Sequence, residues 1–293
     1  MQFIQVTITQ GLTFGSIYAL AALGFAILYN TTGIFHLAYG DFAVFGFMIA
    51  VTLNKTEAAG PLVLSIVAAV ATVFVLTTLV FTGYHLLERR GVDRLGVFVV
   101  SLGLAYGAEA LMLLIFGPSI RTFTIPGLLR VHDVAAFSVS LLTWITIGSA
   151  IGIFALVTLA LRSTRWGYRV RGISANPELA QLVGIRMTLT MLGVFAIAAM
   201  CSVWSATLLG MFTTQSSASG INLVLVAAIA VIAAGRGTYA GGFLLAMALG
   251  FIQPLFEFYI SAPWASSAVF GVALVLLLVR PRGLSSAAIG VPQ

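Results

Sequence analysis

Residues 187 to 212 read MTLTMLGVFAIAAMCSVWSATLLGMF, without one Asp, Glu, Lys or Arg. As a helix this stretch exceeds the roughly 30 Å of a bilayer's hydrocarbon core. Comparable runs fill the rest of the chain. Of its 293 residues 60% are hydrophobic and 8% charged, and the mean hydropathy is +1.11, more apolar surface than one soluble core can hide. The alternating segments of about ten residues that a membrane β-barrel requires are absent. The composition predicts an all-α integral membrane protein, a polytopic bundle.

Charges, Gly/Pro clusters and span lengths place helices near 4–29, 33–54, 61–86, 95–117, 138–161, 187–212, 221–235, 239–259 and 264–280. The short span at 221–235, followed by Ala234, Gly235, Arg236, Gly237 and Thr238, leaves eight or ten spans as alternatives to nine. Met1 to Tyr29 has no basic leader and no clear cleavage site, so it reads as the first span. Nine alternating spans put Arg89, Arg90, Arg94, Arg162, Arg165, Arg169, Arg171, Arg186, Arg236, Arg280 and Arg282 on one side. Only Lys55, Arg121 and Arg130 fall on the other. The Arg-rich side is therefore expected to be cytoplasmic, with the C-terminus on it and the N-terminus outside. The net charge of +6 reports this topology rather than a nucleic-acid partner.

The longest expected cytoplasmic stretch, 162–186, carries a helix-start signal in Asn176, Pro177 and Glu178. Asn caps free N–H groups, Pro at the first helical position loses no hydrogen bond, and Glu suits the positive end of the helix dipole. A short helix from Pro177 to about Val183 follows, ending at Gly184. Leu179, Leu182 and Val183 fall at i, i+3 and i+4 and form one apolar stripe. Such a stripe either lies on the bilayer surface or docks into a cytosolic partner.

No chemistry-bearing constellation accompanies it. Cys201 stands alone in an apolar run, there is no metal-ligand spacing, and no Ser/His/Asp or Cys/His set is assembled. No G-x-x-x-x-G-K-[ST] loop is present to hold ATP. The chain reads as neither an enzyme nor a cofactor protein. Asp41 and Glu109 are the two acids placed well inside spans, where an unpaired charge is costly and faces the bundle interior or water. They are the candidate pathway groups, with His36 and Tyr39 close by; Asp41 capping the helix after Gly40 is the structural alternative. A parallel likeness between Ala38-Tyr39-Gly40-Asp41-Phe42 and Thr238-Tyr239-Ala240-Gly241-Gly242-Phe243 is consistent with an internal repeat.

The loop Gly167 to Arg186 resembles that of permeases from branched-chain amino acid ABC importers. So do the run Gly11 to Phe25 and the segment Gly33, Ile34, Phe35, His36, Leu37, Ala38, Tyr39, Gly40, Asp41, with Tyr39 where His is usual. Glu88-Arg89, Gly235-Arg236-Gly237-Thr238 with Gly241-Gly242, and Arg280-Pro281-Arg282-Gly283-Leu284 continue the likeness along nearly the whole chain. The family often has a Lys in the span before the Gly-rich turn, where this chain has Asn222. The resemblance implies a single permease domain over 1–293 in a bacterial inner membrane. It also implies a second, similar or identical permease subunit, two cytosolic ATPase subunits and a periplasmic or extracellular solute-binding protein. By the same resemblance, Arg171, Asn176, Pro177, Glu178, Leu179, Leu182, Val183 and Gly184 contact the ATPase. Inward transport of branched-chain or related amino acids is expected; a urea, amide or sugar permease of the same family is the alternative. An ion-gradient carrier using Asp41 or Glu109 is a further rival.

Overall fold

A computed structural model describes residues 2–55, 62–123, 131–134, 137–235, 237, 239–259, 268–269, 271–272, 275 and 278. The long elements are helices: α1 (Gln2–Thr32), α2 (Tyr39–Lys55), α3 (Leu62–Arg89), α4 (Arg94–Phe116), α5 (Leu141–Ser163) and α8 (Met187–Phe212). Between α5 and α8 stand the short helices α6 (Arg165–Ala175) and α7 (Pro177–Leu182). After α8 come a 3-10 turn (Ser217–Ser219), α9 (Gly220–Ala234), α10 (Tyr239–Leu249) and α11 (Ile252–Tyr259). Among the described residues, seven helical segments are long and apolar enough to cross a membrane. The chain is an all-α, multi-pass membrane protein. The expected span at 264–280 and the Arg280 to Leu284 exit lie largely outside the described residues, as do Arg130 and Arg236.

Four expectations are corrected. The second span begins at Tyr39 rather than 33, because 33–38 is a non-helical link that ends in a turn. The span near 138 begins at Leu141, after an antiparallel hairpin of β1 (Val131–Val134) and β2 (Phe137–Ser140) that pairs Val131 with Ser140. The run 239–259 is interrupted at Gly250 and Phe251, between α10 and α11. Helix α6 was not expected, since its arginines mask the apolar period; Gly167, Val170 and Ile173 nevertheless form a buried i, i+3, i+6 stripe. Thr164 caps it by accepting from the Gly167 N–H at 3.0 Å.

The chain divides into two compact units. In the unit formed by Gly24–Phe123 and Val157–Val224, α2 packs on α3, α4 and α8, and α3 packs on α8. Phe47, Tyr84, Met112 and Leu208 are among its fully buried side chains. Arg121 bridges Gln215, each N–H donating to the other's carbonyl at 2.9 and 2.8 Å. Its guanidinium donates to Thr52 Oγ1 at 2.8 Å and to the Phe116 carbonyl at 3.0 Å, so neutral acceptors satisfy the charge. In the other unit, formed by Met1–Leu23, Thr124–Leu156 and Leu225–Gln293, Gly15 meets Gly250 backbone to backbone. Tyr18 donates to Gln253 Oε1 at 2.6 Å, and Phe154 stacks on Phe243 with centroids 4.3 Å apart.

Several buried threonines inside helices satisfy their hydroxyls locally. Thr31, Thr146 and Thr207 each donate to the carbonyl four residues earlier, at 2.7, 2.8 and 2.7 Å. In an apolar medium that bond removes the cost of an unpaired donor without needing a neighbouring helix.

Candidate functional site

Two places collect the residues singled out from sequence. The first is a set of buried polar groups around the start of α2. His36 sits in the link 33–38 and is fully buried. The rings of Phe42, Phe81 and Tyr84 surround it, with centroids 5.3 to 5.7 Å away. Its Nδ1 shares a hydrogen bond with the Tyr84 hydroxyl at 3.0 Å and lies 3.4 Å from Ser101 Oγ. Ser101 Oγ also accepts from the Leu37 N–H at 2.6 Å. The link is thereby pinned to α3 through Tyr84 and to α4 through Ser101, which keeps irregular backbone inside protein rather than against lipid. Neither Tyr84 nor Ser101 was identifiable beforehand, since each is an ordinary polar residue in an apolar run. We expect His36→Ala to cost about 2–4 kcal/mol of stability, from a cavity plus an unpaired hydroxyl. The thermal midpoint of the detergent-purified chain reads this, and an unchanged midpoint would show that the pin holds nothing.

Tyr39 and Asp41 lie in the first turn of α2, each only 3% exposed. The Tyr39 ring meets Phe25 edge to face at 5.7 Å. Gly40 touches Gly220, the first residue of α9: a methyl on Gly40 would fall on the Gly220 carbonyl, and one on Gly220 would fall on Asp41. Strict alternation of spans assigns these two helix starts to opposite membrane faces, yet they meet. The link before α2 is buried at Ile34, His36, Leu37 and Ala38, so the helix begins within the bundle. Asp41 sits at that junction. Glu109 is half-exposed on α4, a helix that packs on α2.

The second place is the excursion between α5 and α8. Asn176 Oδ1 accepts from the N–H groups of Glu178 and Leu179, both at 3.0 Å, and Pro177 opens α7. The helix stops where the Val183 N–H donates to the Leu179 carbonyl at 3.1 Å, and Gly184 then turns at a φ of 81°. That left-handed conformation strains any residue with a Cβ. Ala180 is buried underneath. Leu179, Leu182 and Val183 point away, 59%, 81% and 77% exposed. Arg171 lies on α6, stacked over the Tyr168 ring at 4.7 Å. The excursion is anchored by Trp166, whose indole packs on Gly193 and donates to the Thr190 carbonyl of α8 at 3.3 Å. Among the described residues no group of His, Cys, Asp and Glu is arranged to hold a metal.

Residues 7–278 match the family model described as branched-chain amino acid transport system / permease component. The chain is 26% identical to the high-affinity branched-chain amino acid transport system permease protein BraD of Pseudomonas aeruginosa, over 94% of each chain. It is 25% identical to LivH of Escherichia coli, which bears the same description, over 94% of this chain and 92% of that one. Its fold is similar to that of PsaBC from Streptococcus pneumoniae, solved with a Fab. That match has a TM-score of 0.52 and 12% identity over 93% of this chain and 90% of the other.

Proposed function

Since the chain belongs to the family of branched-chain amino acid transport system permease components, we propose that it is a membrane-spanning subunit of an ATP-driven importer of branched-chain or closely related amino acids. In this reading the whole of 1–293 acts as one permease domain in the inner membrane of a bacterium, with the C-terminus in the cytosol. It pairs with a second permease, rests on two cytosolic ATPase subunits and receives its solute from an external binding protein. The chain hydrolyses no nucleotide itself.

The observation that carries the reading is the apolar side of α7, exposed on a capped helix off the membrane-crossing segments. Lipid tails account for the exposed Leu and Val of α3, α4 and α5, but α7 lies between two crossings, within an Arg-rich stretch. An apolar helix face seated in a groove is a common recognition mode, and here it gives an ATPase a handle on the bundle. Leu179, Leu182 and Val183 make the contact. Asn176, Pro177, Glu178 and Gly184 hold the helix, and Arg171 flanks it. His36, Tyr39, Asp41 and Glu109 belong to the transport pathway. The supporting geometry is the non-helical link 33–38 ahead of Tyr39 and the meeting of Gly40 with Gly220, since irregular backbone within membrane proteins lines solute sites.

Affinity purification from the native membrane should recover an ATPase and a second permease with this chain. Proteoliposomes holding that assembly and the binding protein should take up labelled leucine only with ATP. A lone chain, indifferent to ATP and driven by an ion gradient, would overturn the proposal; ATP-driven uptake competed by urea but not by valine would overturn its substrate.

A further inference from the structure

We propose that the outward face of α6 is a binding surface for anionic phospholipid headgroups of the leaflet that α5 leaves and α8 enters. Three observations lead there. First, α6 has two chemically opposed faces: Gly167, Val170 and Ile173 are buried, while Arg165, Tyr168, Arg169 and Arg171 are exposed on the other side. Second, the patch is unbalanced. Arg162 to Arg186 contains five arginines and one acid, Glu178, and among the described residues no carboxylate pairs with Arg165 or Arg169. Third, its place in the chain sets its depth. The α5 crossing ends at Ser163, two residues before α6, and Trp166 ties α6 to the first turn of α8 at Thr190. The arginines are therefore held at the level where headgroups lie.

A planar guanidinium with several donors matches a phosphodiester, and Tyr168 supplies the amphipathic ring that favours the interface. The stacking of Arg171 on Tyr168 limits the freedom that guanidinium would lose on binding. The alternative partner for a basic face, an acidic surface of an ATPase, separates from this proposal by experiment. The inference needs only that α5 and α8 cross the membrane; Arg171, which flanks α7 in the transport reading, is the one residue the two share, and R165Q/R169Q tests the lipid face without it.

The full-length chain in detergent is titrated with fluorescent phosphatidylglycerol and with phosphatidylcholine, at low and at high salt. Phosphatidylglycerol should bind preferentially and weaken with salt. R165Q/R169Q/R171Q should lose on the order of 100-fold in its apparent affinity, about fivefold for each arginine. These side chains are exposed, so the variant's elution profile should match the parent; should it misfold, R165Q/R169Q tests the same face with a proportionate loss. Leu179→Asp/Leu182→Asp should bind phosphatidylglycerol as the parent does. Equal binding of both lipids, or full phosphatidylglycerol affinity in the triple variant, overturns the proposal. Full lipid affinity together with loss of a co-purifying ATPase assigns the face to that partner instead.

Discussion

Replacing Leu179 and Leu182 together with Asp is expected to release the ATPase subunits and abolish ATP-driven uptake, while the membrane bundle stays folded. Each leucine fully buried at an interface contributes about 1.5–3 kcal/mol, and a carboxylate in its place must be desolvated as well. The combined loss, about 4–6 kcal/mol, lowers affinity by roughly three to four orders of magnitude. The bundle has no stake in either side chain, since both project outward and Ala180 makes the internal contact. Asn176→Ala attacks the same contact differently: it leaves the leucines in place but removes the acceptor for two N–H groups. Its cost is about 1 kcal/mol of local helix stability, so it should weaken coupling about fivefold rather than abolish it. Pull-down from membranes with tagged Leu179→Asp/Leu182→Asp measures the first effect. Full recovery of ATPase with that variant would sink the docking assignment.

Gly40→Leu is expected to prevent assembly of the bundle, and Gly40→Ala to lower its stability by about 1–3 kcal/mol. The reason is the kind of atom in the way. A Cβ on Gly40 meets the Gly220 carbonyl, and backbone on backbone cannot move aside as a flexible side chain does, so α2 and α9 must separate. Close approach of this sort is how membrane helices gain packing where no hydrophobic effect drives them together. Gly103 and Gly107 of α4 provide the contrast, because nothing lies within 4 Å of a Cβ added there. Alanine at those two positions should be neutral or should stabilise the helix by up to about 1 kcal/mol each. Size-exclusion profiles and thermal midpoints of the variants in detergent give the comparison. Equal tolerance at Gly40 and Gly103 would show that the helix starts of α2 and α9 do not touch.

Both cases bear on how far residues alone lead. Helix α7 was legible nearly to the residue, because its signals are local: a capping Asn, a Pro at the first position and a Gly at the stop act within one or two turns. The neighbouring α6 was not, because three arginines in eleven residues hide a stripe whose buried members include a glycine, which carries no apolar side chain to mark it. The buried link 33–38 read as helix because its residues are as apolar as a span. Gly33, at a φ of 70°, stops α1, and the link after it is held by the contacts of His36 and Leu37 with Tyr84 and Ser101, residues 48 and 64 positions further along the chain.

Membrane residence, the helical class and the capped turn from Asn176 to Gly184 follow from the sequence by itself, since hydrocarbon thickness, backbone satisfaction and local capping depend only on composition and near neighbours. Which span is buried in protein and which is left exposed does not. The α1 segment has a mean hydropathy of 1.8 and is 94% buried, whereas α4, at 2.0, is 17% buried. Lipid tails and protein interiors are equally apolar, so hydropathy cannot separate them. The same limit applies to Asp41 and Gly220, which the chain presents far apart and which only the packing of α2 on the start of α9 brings together.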